Sequence, residues 1–140
     1  MKTLAIKLGT DGPVKVLSTP RMVKQLFNGV YILQTTNARY VWEVPYYPQL
    51  YVPKSELQES SKSTGLNITE GETVKSSDGK EVGELWTLTV GDRSTDQVVA
   101  FSDDLSGNAE QLSGLVKVDF KAMDQWFEED TPIFVHTKDP

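Results

Sequence analysis

The stretch that decides the fold is YVWEVPYYPQLYVP, residues 40–53, which holds five aromatic residues and three prolines. Because proline cannot donate to a central ladder, the segment between its first two prolines is predicted to connect two strands. In the first strand Tyr40 and Trp42 share one face. Arg39 and Glu43 lie on the opposite face. The stretch therefore predicts an aromatic-rich strand pair at the centre of a β structure.

A second strong signal is the hairpin pattern VKQLFNGVYILQT, residues 23–35. Asn28 and Gly29 tolerate positive φ, as a two-residue type I′ turn requires. The resulting register places Phe27 opposite Val30 and leaves apolar groups on both faces near the turn. We therefore expect this hairpin to lie inside the fold and not at an edge exposed to water.

The rest of the chain is predicted to be rich in strands and poor in helix. Strands are expected from alternating or apolar runs at residues 73–77, 80–82, 84–90, 97–101, 115–120 and 133–135. Short helical turns are expected at residues 108–112 and 123–129, and a Ser-rich mobile loop at residues 58–64. These elements predict a mainly β domain, α+β with short helices, built as a small antiparallel sheet or a tent-like or barrel-like structure.

Composition narrows the class of protein. A chain of 140 residues fits a single domain, residues 1–140, with enough length to bury a core. It has no cysteine, which excludes a thiol nucleophile, a disulfide framework and a thiolate zinc site. A net charge of −6 argues against nucleic acid as a partner. No apolar run suits a membrane span or a signal peptide, so we expect a cytoplasmic protein without a membrane partner.

The charged residues of the aromatic stretch have two interpretations. Arg39 and Glu43 are about 13 Å apart along an extended strand, too far to pair with each other. In one interpretation the aromatic residues are packing and both charges reach solvent. In the other, the stretch forms an aromatic-walled pocket for a small polar molecule, with Glu43 beside the ligand-binding candidates Arg39, Tyr40, Trp42, Tyr47 and Tyr51.

Several spaced motifs carry a family resemblance. They are FNGVYI at residues 27–32, TTNARYVWE at 35–43, YYPQLYVP at 46–53 and MDQWFEED at 123–130. Together they resemble domain-of-unknown-function family 427, which is also labelled a nucleotidyltransferase-type domain. The resemblance covers roughly residue 13 to the end, and residues 13–21 and 45–49 are similar to its fungal branch. It implies a small, mainly antiparallel β structure, tent-like and with short helices.

The chain departs from the family pattern in two places. Family members often carry a Cys-Pro-Tyr-Lys-Gly-like stretch where this chain has SSDGKEVG, residues 76–83. Many also show a Trp-x-Tyr-Pro-like element where this chain has AFSD, residues 100–103. A family site built from those elements would be altered or absent here. The portion that can be carried over comprises Trp42, Glu43 and residues 51–53.

The nucleotidyltransferase label finds no residues to carry its chemistry. Two-metal catalysis needs clustered carboxylates, but the adjacent Asp103 and Asp104 point to opposite sides of an extended chain, and no Asp-x-Asp or P-loop is present. His136 is the only histidine, which excludes a multi-histidine metal site within the chain. The acidic run at residues 124–130 lacks a calcium-loop pattern and is expected to be a solvated face. We expect neither a metal nor a cofactor.

Three functions therefore compete. The leading hypothesis is a small-molecule-binding β domain with an aromatic pocket. The enzyme alternative is a cofactor-free lyase, isomerase or cyclase in which Glu43, paired with Tyr51 or Tyr40, acts as acid or base, because apolar neighbours suit a carboxyl group to that role. The third is a protein-interaction module that uses Tyr46 and Tyr47 as exposed anchors. The ligand and the oligomeric state stay open.

Overall fold

A computed structural model describes residues 1–129 and 131–133, most of which lie in β-strands. In chain order the elements are α1 (Lys2–Asp11), β1 (Lys15–Ser18), β2 (Val23–Phe27), β3 (Val30–Thr35), β4 (Arg39–Val44), β5 (Tyr47–Pro53), α2 (Lys54–Thr64), β6 (Asn67–Lys75), β7 (Glu81–Val90), β8 (Arg93–Phe101), a 3₁₀ helix (Gly107–Leu112), β9 (Leu115–Val118), a second 3₁₀ helix (Phe120–Ala122), β10 (Gln125–Glu128) and β11 (Thr131–Ile133). The prediction of a mainly β fold with short helices is confirmed.

The strands form two open antiparallel sheets, and neither closes into a barrel within the described residues. The larger sheet has the order β1-β4-β5-β9-β8-β7-β6, and the smaller has the order β11-β10-β2-β3. An inter-sheet core lies between them, with members that include Phe27, Ile32, Trp42, Trp86 and Trp126. A helix-side core covers the other face of the larger sheet, with members that include Leu8, Val41, Tyr51, Phe101 and Leu112. The middle strands of the larger sheet are therefore buried on both faces.

The predicted hairpin of β2 and β3 forms with the expected register. Phe27 lies opposite Val30, and the turn residues Asn28 and Gly29 have φ values of 49° and 78°. Its location differs from the expectation, because β3 is the outer strand of the smaller sheet. Tyr31, one of the residues expected to make both faces of the hairpin apolar, is 43% exposed. Its ring packs against the ring of Phe127, with the centroids 6.0 Å apart, and does not enter the core.

Helix occurs where the sequence patterns did not predict it. Residues 58–64, expected to be a mobile loop, belong to α2, which is anchored by the buried Leu57. The Ser60 hydroxyl donates to the Ile32 carbonyl oxygen of β3 at 2.5 Å, and Gly65 ends the helix at φ 80°. Near the N-terminus, α1 buries Leu8 against the larger sheet. Among the described residues, neither α-helix is long and apolar enough to span a bilayer.

The helical turn expected at residues 123–129 is wrong. This segment contains strand β10, in which Trp126 lies opposite Gln25 of β2. The spacing of its apolar residues fits a helix in isolation, but pairing with β2 satisfies the backbone and buries the Trp126 ring. The Trp126 indole N–H donates to the Phe120 carbonyl oxygen at 2.9 Å, which fixes the entry into the strand. Residues 134–135 of the last expected strand lie outside the described residues.

The turn at Asn28 offers a test of how the two sheets are joined. Its side chain donates to the Val90 carbonyl oxygen at 2.8 Å, and its backbone N–H donates to Asp124 Oδ2 at 2.5 Å. Asn28→Gly keeps the positive φ and removes only the side-chain bonds, to Val90 and, at 3.3 Å, to Asp92 Oδ1, so we expect the free energy of unfolding to fall by ~1 kcal/mol. Asn28→Ala adds backbone strain of about 1 kcal/mol. Urea denaturation measures both.

The control for this pair is Asn67→Ala, at an exposed position of β6. It is expected to change the free energy of unfolding by less than ~0.5 kcal/mol. Equal losses for Asn28→Gly and Asn28→Ala would show that the turn conformation contributes nothing beyond the side-chain bond.

Candidate functional site

Strand β4 sends its side chains alternately into two different cores. Tyr40 and Trp42 belong to the inter-sheet core, whereas Val41 belongs to the helix-side core. Glu43 follows Val41 on the helix side, where the pairing of β4 with β5 is irregular between Val41 and Val44. The predicted site residues of this strand therefore divide between opposite faces of the sheet.

Glu43 is the centre of a cluster of three polar side chains at the edge of the helix-side core. Its Oε2 atom accepts a hydrogen bond from the Tyr51 hydroxyl at 2.5 Å and another from the Lys117 ammonium group. The Glu43 and Lys117 side chains are only 12% and 8% exposed, and Tyr51 is fully buried. We call this group the Glu43–Tyr51–Lys117 cluster.

Three neighbouring strands of the larger sheet position the cluster. Glu43 comes from β4, Tyr51 from β5 and Lys117 from β9, which are consecutive in the sheet. Lys117 lies opposite Val99 of β8, and the Tyr51 ring stacks on the Phe101 ring with the centroids 6.1 Å apart. The Lys117 Nζ atom lies 6.0 Å from the Tyr51 ring centroid. Apolar and aromatic groups therefore flank the polar atoms of the cluster on one side.

Burial controls the protonation of Tyr51. Removal from water raises the pKa of Tyr51 well above its usual value, and the Glu43 charge and hydrogen bond raise it further. Tyr51 therefore stays protonated at neutral pH and acts as a hydrogen-bond donor. Its hydroxyl and the Lys117 ammonium group hold one oxygen of Glu43 from two sides.

The second oxygen of Glu43 is differently placed. Among the described residues, two side-chain atoms are buried without a hydrogen-bond partner, and both belong to Gln25. Glu43 Oε1 accepts no hydrogen bond from the described residues and is not among these buried atoms, so it keeps access to solvent. The carboxylate therefore has one oxygen held inside the protein and one facing outwards.

The other predicted ligand-binding residues lie apart from this cluster. Arg39 begins β4 and its backbone lies opposite Tyr51, but its guanidinium group donates to the Asn37 carbonyl oxygen at 2.5 Å and not to Glu43. Trp42 lies in the inter-sheet core, with the Lys15 ammonium nitrogen 4.5 Å from its ring centroid. Tyr47 is half-buried at the start of β5. Of the predicted set, the structure brings together Glu43 and Tyr51.

Tyr40 belongs to a second polar cluster on the inter-sheet side. Its hydroxyl donates to Glu128 Oε2, and the Arg21 guanidinium group donates to Glu128 Oε1 at 2.5 Å. Burial, then the hydrogen bond and the charge of Glu128, raise the pKa of Tyr40 to about 12. Beside this cluster is a cavity of about 180 Å³ lined by Leu17, Ser18, Thr19, Pro20, Arg21 and Tyr40.

Lys117 is the site residue that the sequence patterns missed. Alternation correctly places Val116 and Val118 in the inter-sheet core, which leaves Lys117 on the other face. That face is also buried, because the helix-side core covers it. The one local signal was Leu115, an apolar residue on the same face as Lys117 and part of the helix-side core.

The acidic residues considered for metal binding are dispersed. Within residues 1–129 and 131–133, no group of three His, Asp or Glu side chains could hold a metal ion. Asp103 lies 3.1 Å from the Lys54 ammonium nitrogen, and Asp124 pairs with Arg93. His136 and Asp130 lie outside the described residues.

A family comparison covers all three residues of the cluster. The family model described as Domain of unknown function (DUF427) matches residues 15–129. The chain belongs to the DUF427 family. The matched span of this DUF427 chain runs from β1 to the end of β10 and includes Glu43, Tyr51 and Lys117. No curated protein and no solved structure matches it.

The energetic coupling within the Glu43–Tyr51–Lys117 cluster can be measured. Lys117→Met leaves a nearly buried carboxylate without its cation, so we expect the free energy of unfolding to fall by ~3 kcal/mol. Glu43→Gln combined with Lys117→Met removes both charges and is expected to be more stable than Lys117→Met alone. Urea denaturation of the four proteins in the cycle gives the coupling energy.

The matched control is the ion pair of Glu59 with Lys62, whose side chains are 76% and 73% exposed. Its coupling is expected to stay below about 0.5 kcal/mol. Strictly additive effects at Glu43 and Lys117 would show that the buried pair is not coupled.

Tyr40 should make stability depend on alkaline pH. An ordinary tyrosine in the unfolded chain ionises near pH 10, whereas Tyr40 in the folded protein has a pKa of about 12. The unfolded state therefore loses this proton first as the pH rises. The free energy of unfolding falls above about pH 10, by up to ~3 kcal/mol once the folded pKa is passed.

Urea denaturation at about pH 9 and about pH 11 tests this. Tyr40→Phe is expected to show a smaller loss between the two pH values than the wild type. The exposed Tyr46 supplies the control, since Tyr46→Phe should leave the pH dependence unchanged. Identical pH dependence for Tyr40→Phe and the wild type would contradict the assignment.

Proposed function

We propose that this DUF427 chain binds a small polar organic molecule at the Glu43–Tyr51–Lys117 cluster. The observation that carries the proposal is the arrangement of the Glu43 carboxylate. One oxygen is fixed by the Tyr51 hydroxyl and the Lys117 ammonium group, while the other accepts no hydrogen bond from the described residues and keeps access to solvent. Such a carboxylate is already oriented to accept a hydrogen bond from a ligand.

The energetics of burial support a binding role. Moving an ammonium group and a carboxylate out of water costs more than their attraction often returns, and an apolar pair of similar size is frequently no less stable. The fold therefore gains little from Lys117 and Glu43 as compared with two apolar residues. We propose that the protein buries this pair because a ligand uses both charges.

The chemistry of the cluster limits the ligand. A complementary molecule offers a donor to Glu43 Oε1 and an acceptor to the remaining N–H groups of Lys117. Ligand sites usually combine apolar walls with a few polar groups of this kind. Gln49 of β5, which lies opposite Val41, adds a carboxamide on the same face. The small exposed fractions of Glu43 and Lys117 favour a compact ligand.

The same geometry supports a second candidate, a cofactor-free lyase, isomerase or cyclase. A carboxylate whose one oxygen is held while the other meets the ligand can accept or release a proton. The partner of Glu43 in this role is Tyr51, because Tyr40 contacts Glu128 on the other face. Binding at the cluster is a requirement of this candidate, so it adds turnover to the same site.

A protein-interaction role is favoured by one further observation. Tyr46 is 77% exposed in the turn between β4 and β5, and Val14 and Val44 are also exposed. Exposed tyrosines are frequent anchors of protein interfaces. Tyr46 is the stronger anchor, because Tyr47 is only half-exposed. The fungal-type assignment and the cytoplasmic location remain predictions from the sequence.

Native mass spectrometry of the protein isolated from the cells that produce it tests these candidates. We expect the wild type to carry a bound small molecule, and Glu43→Gln and Lys117→Met to lose it through a decrease in affinity of about tenfold or more. Glu84→Gln is the matched control. The Glu84 carboxylate also accepts one hydrogen bond from a buried side chain, the Trp86 indole N–H at 2.6 Å.

The outcomes separate the candidates. A bound molecule that persists in both cluster variants, or a wild type without any bound molecule, would count against the proposal. A protein partner that is lost in Tyr46→Ala and kept in Glu43→Gln would support the interaction module. Conversion of the released molecule by the wild type but not by Glu43→Gln would support the enzyme.

A further inference from the structure

Lys117 differs from the other lysines of the described chain in its environment. It is the only one that is buried, with a side chain 8% exposed, and its ammonium group faces the carboxylate of Glu43. An amine must lose its proton before it can act as a nucleophile, and desolvation favours the neutral form. A proton acceptor within hydrogen-bond distance is therefore already in place.

Proton transfer within the pair is the step that makes the amine reactive. When the proton moves from Lys117 to Glu43, two buried charges become two neutral groups, a state that a low-dielectric environment penalises less. Tyr51 does not compete for this proton, because its hydroxyl is protonated and donates to Glu43. The cluster thus contains an amine and a base that can return the proton.

We infer that Lys117 is a nucleophilic lysine and that the molecule bound at the cluster is a small aldehyde or ketone, held as an imine on Nζ. This inference rests on the proposed function and names the ligand class of that site. Its physical basis is the buried contact of an amine with a carboxylate that has one outward oxygen.

The reaction balances with the groups present. Neutral Nζ adds to the carbonyl carbon, forming a C–N bond, and the carbonyl oxygen takes a proton from the nitrogen. The resulting hydroxyl group leaves as water with the proton held by Glu43, and the nitrogen lone pair forms the C=N bond. The product is a protonated imine beside a carboxylate. Because the protonated imine has the same charge as the original ammonium group, Glu43 again has a cationic partner in the product.

Reductive trapping tests the inference on the intact protein. Propanal and sodium cyanoborohydride are added near neutral pH, and peptide mass mapping gives the rate of alkylation at each lysine. Exposed lysines such as Lys62 and Lys80 set the background rate. We expect Lys117 to react about tenfold faster or more, although it is the least accessible.

Two variants connect the rate to the cluster. Glu43→Gln removes the base and is expected to lower alkylation of Lys117 by about tenfold or more, without changing the rates at Lys62 and Lys80. Tyr51→Phe keeps the ring that stacks on Phe101 and removes only the hydroxyl. This variant therefore changes the hydrogen bonding of the cluster and is expected to preserve its packing. Circular dichroism checks that each variant is folded.

Each result has a defined meaning. Alkylation of Lys117 at or below the background rate in the folded wild type would overturn the inference. If native mass spectrometry nevertheless shows a bound molecule that Lys117→Met loses, the proposed function stands and only the carbonyl assignment fails. If neither a bound molecule nor alkylation of Lys117 is found, both fail.

Discussion

Burial of both faces of the larger sheet is the constraint on which the rest of the structure depends. The inter-sheet core covers one face and the helix-side core covers the other, so most residues of β4, β5 and β9 are buried. A charged side chain that these strands bury is costly unless it is paired and hydrogen-bonded inside the protein. Glu43 and Lys117 satisfy that requirement with each other. Their pairing follows from the order of strands and not from proximity in sequence.

Two clusters of tyrosine, carboxylate and cation now flank β4, and they differ in solvent exposure. Arg21 is 56% exposed at its side chain, so its pairing with Glu128 is accessible to water and salt. Together with Tyr40 it joins β4 to β10 and contributes to the contact between the sheets. The cation of the other cluster, Lys117, is buried, which strengthens its electrostatic interaction with Glu43. This difference in exposure is why we propose a ligand site on the Glu43 side of the strand and a structural contact on the Tyr40 side.

Sequence patterns predicted those features of the fold that depend on residues close to one another in the chain. Asn28 and Gly29 determine the turn of β2 and β3 because few residues accept positive φ. Alternation likewise identified which residues share a face. It did not show what covers that face, and Lys117 was missed for this reason. Helix α2 depends on the burial of Leu57 and the bond from Ser60 to β3, which are tertiary contacts that a Ser-rich pattern does not reveal.

The two segments in which the chain departs from its family pattern lie next to each other in the fold. Gly83, at the end of one divergent element, lies opposite Phe101 of the other, so the two elements are neighbours. Phe101 in turn stacks on Tyr51, which places the divergent region against the Glu43–Tyr51–Lys117 cluster. A thiol is absent from that region because the chain has no cysteine. The side chain beside the carboxylate is instead Lys117 on β9, and in our proposal its amine is the nucleophile that reacts with a carbonyl compound.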